Sequence, residues 1–422
     1  MDGRKTRSWR AIGLLAAAAA LGGLGLSCTE ESDTAAADPN PPDTLWTRAC
    51  GTAAHEWGNS ILEAADGGFV VAGGVLDGAD RDIWLVKVDG DGDPAWDRRL
   101  GGPGHDDAYA IRPTADGGFI VAASTESFGN GAGDFWLVKL DGGGATSWSR
   151  TYGSDAPERP QYAEQTADGG YVIAGGRGDF TQGLMDAWLV RTDDEGNEIW
   201  SRSYGGPRNE KAYCVHQTAD GGFVLAGNTE SFGNGTAGSA DMWLVRTDPA
   251  GAPLWTRTFG GPDPENAYSL QLTNDGGYVL AGYTGAYGSG LQDMLLVRTD
   301  ADGNEVWSNT YGGDDDDVAC SVQQMSDGGY LAAGLSDSFG GGDFDACFAR
   351  TDANGDMMWR MTVGGPADDY CFWAQRTADG GCAATGTTAS YGHGSDDLYI
   401  VRLGPELLPE TGRLLGPHGV AW

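Results

Sequence analysis

Hydrophobic and polar positions along this chain fall into a few short patterns that recur. Runs such as YVLAG at 278–282 and DMWLVRTD at 241–248 are almost unbroken apolar stretches, the pattern of strands covered on both faces. EVWSNTYGG at 305–313 instead alternates, as a strand with one wet face does. In AYSLQLTNDGGYVLAG, residues 267–282, two strands flank an Asp-Gly dipeptide, which accepts the positive φ angles of a tight hairpin. A glycine-rich loop such as TESFGNGAGD, residues 125–134, leads into a third strand, and a DxxG turn, as at Asp300 to Gly303, leads into a fourth. The pattern predicts four antiparallel strands per unit.

The unit repeats. DGG stands at Asp66, Asp116, Asp168, Asp220, Asp275, Asp327 and Asp379, 50 to 55 residues apart. A tryptophan precedes each by twenty residues: Trp46, Trp96, Trp148, Trp200, Trp255, Trp307 and Trp359. An aspartate opening the third strand is a further mark, at Asp82, Asp134, Asp186, Asp241, Asp293, Asp345 and Asp397. Three marks agreeing on seven units predict an all-β fold, a seven-bladed β-propeller of four-stranded antiparallel blades. The phase of the repeat predicts closure. The chain enters with a lone tryptophan strand, TLWTRACG at 44–51, and leaves with a unit lacking it, DLYIVRLG at 397–404. Pairing the first onto the last completes the seventh blade and removes an open sheet edge. The propeller is expected over residues 46–403.

TADGGYVIAG, DMWLVRTD and GNEVWSNTYGG resemble the seven-bladed propeller repeats of bacterial secreted and surface proteins and, more distantly, the tryptophan-marked repeats of quinoprotein-like propellers. The resemblance covers about 85% of the chain. It implies the fold and an exported location, and no activity, because propellers host many unrelated functions. Quinoprotein dehydrogenases have eight blades and an adjacent cysteine pair at the cofactor; neither is present in this pattern. No cofactor is expected, and a divalent cation is carried only as a weak candidate.

The start of the chain reads as an export label. Arg4, Lys5, Arg7 and Arg10 precede an apolar, alanine-rich segment from Ile12 to Leu26 that is short for a membrane span. LGLSC, ending at Cys28, resembles the lipobox of bacterial lipoproteins, although Gly25 stands where leucine is usual. The expectation is a lipoprotein signal over residues 1–27, a bilayer anchor through acylated Cys28, a flexible acidic and Pro-rich tether over 28–45, and a C-terminal tail over 404–422. The location is then extracytoplasmic, anchored to a bacterial membrane or cell surface. Cys50, Cys214, Cys320, Cys347, Cys371 and Cys382 remain, an even number that permits disulfides without assigning any.

A formal net charge of −35 sets such a surface against nucleic acid and anionic membrane, and favours cations or basic partners. Ten residues after each tryptophan stands a carboxylate: Glu56, Asp106, Glu158, Glu210, Glu265, Asp317 and Asp369. Five residues after each third-strand aspartate stands a base: Lys87, Lys139, Arg191, Arg246, Arg298, Arg350 and Arg402. Such regularity is most simply structural, since buried charges persist only when paired. Strand direction nevertheless puts the carboxylates on one face of the disc with the long loops and with Phe128, Phe232, Tyr287, Phe339 and Tyr391. Acids and aromatics around a funnel suit a sugar, a peptide or a cation. Both sets are carried as candidate ligand-binding residues, beside the simpler reading in which the aromatics pack between blades. His55, His105 and His393 are weak candidates for a divalent metal, with Glu56 and Asp106. DGDGD at Asp89 to Asp93 faintly resembles a calcium loop, but other blades use the same turn with fewer acids.

No catalytic motif is present: no G-x-S-x-G, no HExxH, no phosphate loop. LPETG at Leu408 to Gly412 lacks a following membrane stretch, and RGD at Arg177 to Asp179 is too short to carry weight. The chain is expected to be a monomeric binding or scaffolding module for a protein or carbohydrate ligand, acting through the long-loop face. A carbohydrate hydrolase or lyase, and an accessory lipoprotein of envelope assembly, stand as alternatives.

Overall fold

The computed structural model describes residues 27–30, 41–233 and 239–405. Seven sheets follow one another along the chain, six of them built from four consecutive antiparallel strands. Blade 1 comprises His55–Glu63, Phe69–Asp77, Asp80–Val88 and Pro94–Leu100, and the others are counted along the chain from it. Blade 7 contains Asp369–Arg376, Cys382–Thr388 and Asp397–Leu403, and its fourth strand is Thr44–Gly51, with Trp46 opposite Arg402 and Arg48 opposite Ile400. The ring is thus fastened by the chain's first long strand. Apart from a 3-10 turn at Phe180–Gln182, the described residues contain no helix.

Burial follows the sequence rhythm. Second and third strands such as Phe223–Thr229 and Asp241–Thr247 are buried at every residue, and the outer strand Glu198–Tyr204 is largely exposed. First strands lie against one another around the axis and are therefore innermost. Loops joining the second to the third strand, and one blade to the next, share one face of the disc. The DGG and DxxG turns occupy the other.

The tryptophan and third-strand aspartate marks lie at the seams between blades, and the DGG mark braces its own blade. Trp200 of blade 3 meets Phe223 of blade 4 edge to face at 5.8 Å, and Trp46–Phe69, Trp148–Tyr171, Trp255–Tyr278 and Trp307–Tyr330 repeat the contact. Such pairs contribute about 0.5–1.5 kcal/mol each beyond their buried area. The same indole covers the DxxG glycine of the next blade: Gly251 has φ +76°, and a Cβ on it would meet Trp200 at 2.8 Å. In the DGG turn, Asp220 accepts from the Gly222 N–H at 3.2 Å and the Thr218 hydroxyl at 2.7 Å. It also receives Arg246 from the third strand at 2.5 Å. All seven bases pair in this way with the DGG aspartate of their own blade.

The N-terminal expectation needs correcting. Ser27–Glu30, which joins the end of the expected leader to the start of the expected tether, is a strand, and it pairs outside Thr44–Gly51 as a fifth strand of the closing sheet. Cys28, opposite Cys50 in that pairing, forms a disulfide with it. A thioether-linked lipid and a disulfide require the same sulfur atom, so an acylated Cys28 excludes this bond. The expected leader up to residue 26 and the tail from residue 406 lie outside the described residues.

Candidate functional site: loop face and axial channel

The ring of first-strand acids is not a surface. Glu56, Asp106, Glu158, Glu210, Glu265, Asp317 and Asp369 are each at most 1% exposed. Their oxygens serve the loops around them. Asp317 accepts from the Gly313 N–H at 2.8 Å and the Ser338 hydroxyl at 2.7 Å. Glu210 accepts from the Gly206 N–H at 2.7 Å and the Thr229 hydroxyl at 2.9 Å. Behind each acid stands the third-strand aspartate of the preceding blade, with a glycine wedged against both. A Cβ on Gly153 would lie 1.8 Å from Asp134 Oδ1 and 2.8 Å from Glu158 Oε2, and Gly205, Gly312 and Gly364 repeat the arrangement.

Two buried carboxylates this close cannot both ionise cheaply. Burial pushes Glu56, Asp134, Glu158, Glu265, Asp293, Asp369 and Asp397 above the ordinary carboxylate range. A proton on one acid of a couple such as Asp134 with Glu158, or Asp241 with Glu265, would let it donate to the other. Asp134 Oδ1, Glu56 Oε2 and Asp397 Oδ1 are buried with no hydrogen-bond partner. As ligand-binding candidates these acids are therefore corrected to seam residues, closed to solvent and engaged with their own loops.

The loop aromatics divide. Phe128 and Phe232 are each 44% exposed and Tyr287 51%, while Phe339 and Tyr391 are half-buried. Each lies over a glycine of the connection entering its blade, as a Cβ on Gly206 would meet Phe232 at 3.1 Å. Phe128 also leans on Trp136 at 5.1 Å, and Phe339 is covered by Arg360 at 3.3 Å from its ring. One ring face is packed, and in three of the five the rest stays open to solvent on the loop face.

The histidine candidates are not gathered. Among the described residues no group of three or more His, Cys, Asp or Glu side chains is placed to hold a metal. His55 clasps the closing seam through Asp396, Nδ1 to Oδ2 at 3.0 Å. Ser395 Oγ lies 3.2 Å from Nδ1 and 3.0 Å from Nε2 of the same ring. Those are the residue types of a nucleophile, base and acid, but a hydroxyl nearly equidistant from both nitrogens is not in line with the Nε2 lone pair. His393 contributes its backbone N–H to Asp397 at 3.0 Å. In DGDGD, Asp89 Oδ1 accepts from the N–H groups of Asp91 at 3.0 Å and Asp93 at 2.9 Å, so the turn satisfies its own acid.

An axial cavity is the feature that sequence reasoning missed. In each inner strand the ladder skips one residue: Asn59, Tyr109, Gln161, Tyr213, Tyr268, Cys320 and Phe372. A bulge re-aims its side chain, and all seven line a cavity of about 320 Å³ on the propeller axis. Its wall includes Arg112, whose guanidinium lies between the rings of Tyr162 at 4.4 Å and Trp373 at 4.1 Å and donates to the Tyr162 hydroxyl at 3.0 Å. Beside it Glu164 accepts from His216 at 2.7 Å. Burial opposes charge on His216, yet its neighbours Tyr162, Cys214 and Glu164 hold its pKa well above the usual value. The signal was present in the repeats: three places after each ring acid, the units differ from one another, while the ring position itself is always a carboxylate.

Comparison with known proteins agrees with this architecture. The WD40 domain of Neurospora crassa Pan2 superposes with a TM-score of 0.51 at 11% identity, covering 82% of this chain and 89% of that one, a likeness of fold alone. The regulatory protein FlaEY of Caulobacter vibrioides is 28% identical over 164 residues, which are 33% of this chain and only 17% of that relative's length. A family profile described as outer membrane protein assembly factor BamB matches residues 30–272, more than half of the chain. With its seven four-stranded blades and the profile spanning the first five of its tryptophan marks, the chain belongs to this PQQ_2 family of propeller repeats.

Proposed function

We propose that this propeller is a protein-binding scaffold of the bacterial envelope that acts as a monomer through its loop face. The observation that carries the reading is the set of Phe128, Phe232 and Tyr287, which keep about half of their surface in solvent at equivalent loop positions of three blades. Aromatic residues anchored on one side and open on the other are the residues that dominate binding energy at interfaces. Family membership supports a scaffolding role, and the closed acid seams remove the paired carboxylates that a glycoside hydrolase would need at its surface.

An extracytoplasmic location rests on the basic-then-apolar start of the chain, and a Cys28–Cys50 disulfide fits an oxidising compartment. Membrane anchoring through Cys28 would require that bond to be open. Intact-mass measurement of protein from the native membrane distinguishes the two states: a diacylglyceryl adduct on Cys28, or a chain two hydrogens lighter than its fully reduced form.

The binding reading is tested by crosslinking in the envelope. A partner captured by the wild-type chain should be lost with the triple variant Phe128→Ser, Phe232→Ser, Tyr287→Ser while the thermal midpoint is unchanged. Equal capture by the variant would sink the loop-face assignment, and turnover of a glycan panel by the purified chain would replace it with an enzymatic one.

A further inference from the structure

One register position after each ring acid the inner strands again differ from blade to blade, and in blades 3 and 4 the residues are Arg159 and Lys211. Neighbouring blade 2 has Asp107 there, which is taken by Arg81 at 2.7 Å. Arg159 is exposed, Lys211 is half-buried, and among the described residues neither is paired with a carboxylate. Two adjacent unpaired cations are unexpected in a chain with a formal net charge of −35, where carboxylates are in large excess.

Their surroundings are those of a pocket. The Lys211 ammonium stands 4.5 Å from the ring centre of Tyr213, the bulged residue two places on in the same strand. Tyr213 in turn meets the bulged Tyr268 of blade 5 edge to face at 5.0 Å. Asn266 donates to the Tyr283 hydroxyl at 2.5 Å, and Tyr268 lies 6.0 Å from Tyr283, so this wall is braced from behind. Both bulged tyrosines line the axial cavity of about 320 Å³, the size of the smaller organic-ligand sites. Burial pushes the Lys211 ammonium down to about 8, and the nearby Arg159 charge adds to the shift. An anion between the two would relieve both effects.

We propose that the mouth of the axial channel between blades 3 and 4 binds an organic carboxylate, its acid group held by Arg159 and Lys211 and its apolar or aromatic body lying along Tyr213 and Tyr268. Charge-assisted hydrogen bonds from two cations fix the acid, and stacking on the tyrosine wall selects what carries it. The site is separate from Phe128, Phe232 and Tyr287, so it stands or falls independently of the loop-face interaction.

The acid group could belong to a free small molecule or to a peptide C-terminus, and calorimetric titration of the full chain distinguishes them. The probes are phenylacetate, the tripeptide Gly-Gly-Phe and its C-terminal amide. Saturable binding of phenylacetate alone assigns a free organic acid. Binding of Gly-Gly-Phe with no binding of the amide assigns a peptide terminus. In either case Lys211→Met and Arg159→Gln should each weaken the interaction about ten-fold or more, the scale of one charge-assisted hydrogen bond. Lys211→Met keeps the stem over Tyr213, and Arg159→Gln changes an exposed position, so a folding defect in the first leaves the second as the test. Absence of saturation by all three probes, equal binding of acid and amide, or wild-type affinity in both variants overturns the proposal.

Discussion

The two faces of the disc use the same residue types to opposite effect. On the hairpin face every DGG aspartate meets a lysine or arginine from the third strand, and its carboxyl lies below the ordinary range. Hydrogen bonds from Lys87 and Lys139 are the main cause for Asp66 and Asp116, and threonine hydroxyls are for Asp168, Asp220 and Asp275. In Asp327 and Asp379 partial burial opposes the shift and hydrogen bonds overcome it. On the loop face the partner of a carboxylate is another carboxylate, and burial raises both. Counting acids in the sequence cannot distinguish these environments. What differs is whether the blade's own third strand supplies a cation or the preceding blade supplies a second acid, and how much water remains.

The comparison is broken most severely by adding a methyl group to a loop-face seam. Gly153→Ala would place its Cβ inside the contact distance of both Asp134 and Glu158. The expected loss is about 3 kcal/mol or more, because two buried, hydrogen-bonded acids must move. Urea unfolding measures it, and a loss below about 1 kcal/mol would mean the seam is looser than described.

Next comes the hairpin face at its most buried point. Arg350, 1% exposed, donates to the Thr351 carbonyl and to Asp327 at 2.7 Å. Arg350→Met keeps much of the volume and should cost about 2 kcal/mol through the unpaired acceptors it leaves. The same substitution should cost more than Asp66→Asn, whose carboxylate is 67% exposed and whose loss is expected at about 0.5 kcal/mol.

Titration sharpens the contrast through its sign. The loop-face acids Asp134, Glu158 and Glu265 have folded pKa values above their unfolded values, so their contribution is fully present below about pH 4 and is lost as pH rises through the folded values. Hairpin-face aspartates have lowered values, so their contribution is present above about pH 4 and is lost as pH falls through the folded values. Glu158→Gln supplies a hydrogen-bond donor without a titrating proton. Between pH 5 and pH 9 it should lose less stability than wild type, and Asp116→Asn should leave that slope unchanged. A steeper slope in Glu158→Gln would contradict proton sharing at the seam.

Much of this was legible in the sequence because the repeat is local chemistry written seven times. DGG predicted a hairpin because few residues accept its backbone angles, and the phase of Trp46 against Asp397 predicted the closing strand because an open sheet edge needs a partner. Glu56 and its counterparts could be read as structural or as ligand-binding residues, because residue order gives the face of the disc but not the depth below it. The sequence pattern presents Cys28 as a candidate for lipidation, whereas its pairing with Cys50 becomes evident only when Ser27–Glu30 lies against Thr44–Gly51.

By itself, then, the sequence determined the number of blades, their strand order and the fastening of the ring, since these follow from periodicity and turn geometry within about fifty residues. Tertiary structure alone decided which acids are buried against a second acid, and that seven bulged side chains converge on the axis. Those outcomes depend on distances between residues of different blades, and on the water excluded between them, which no single strand's pattern encodes.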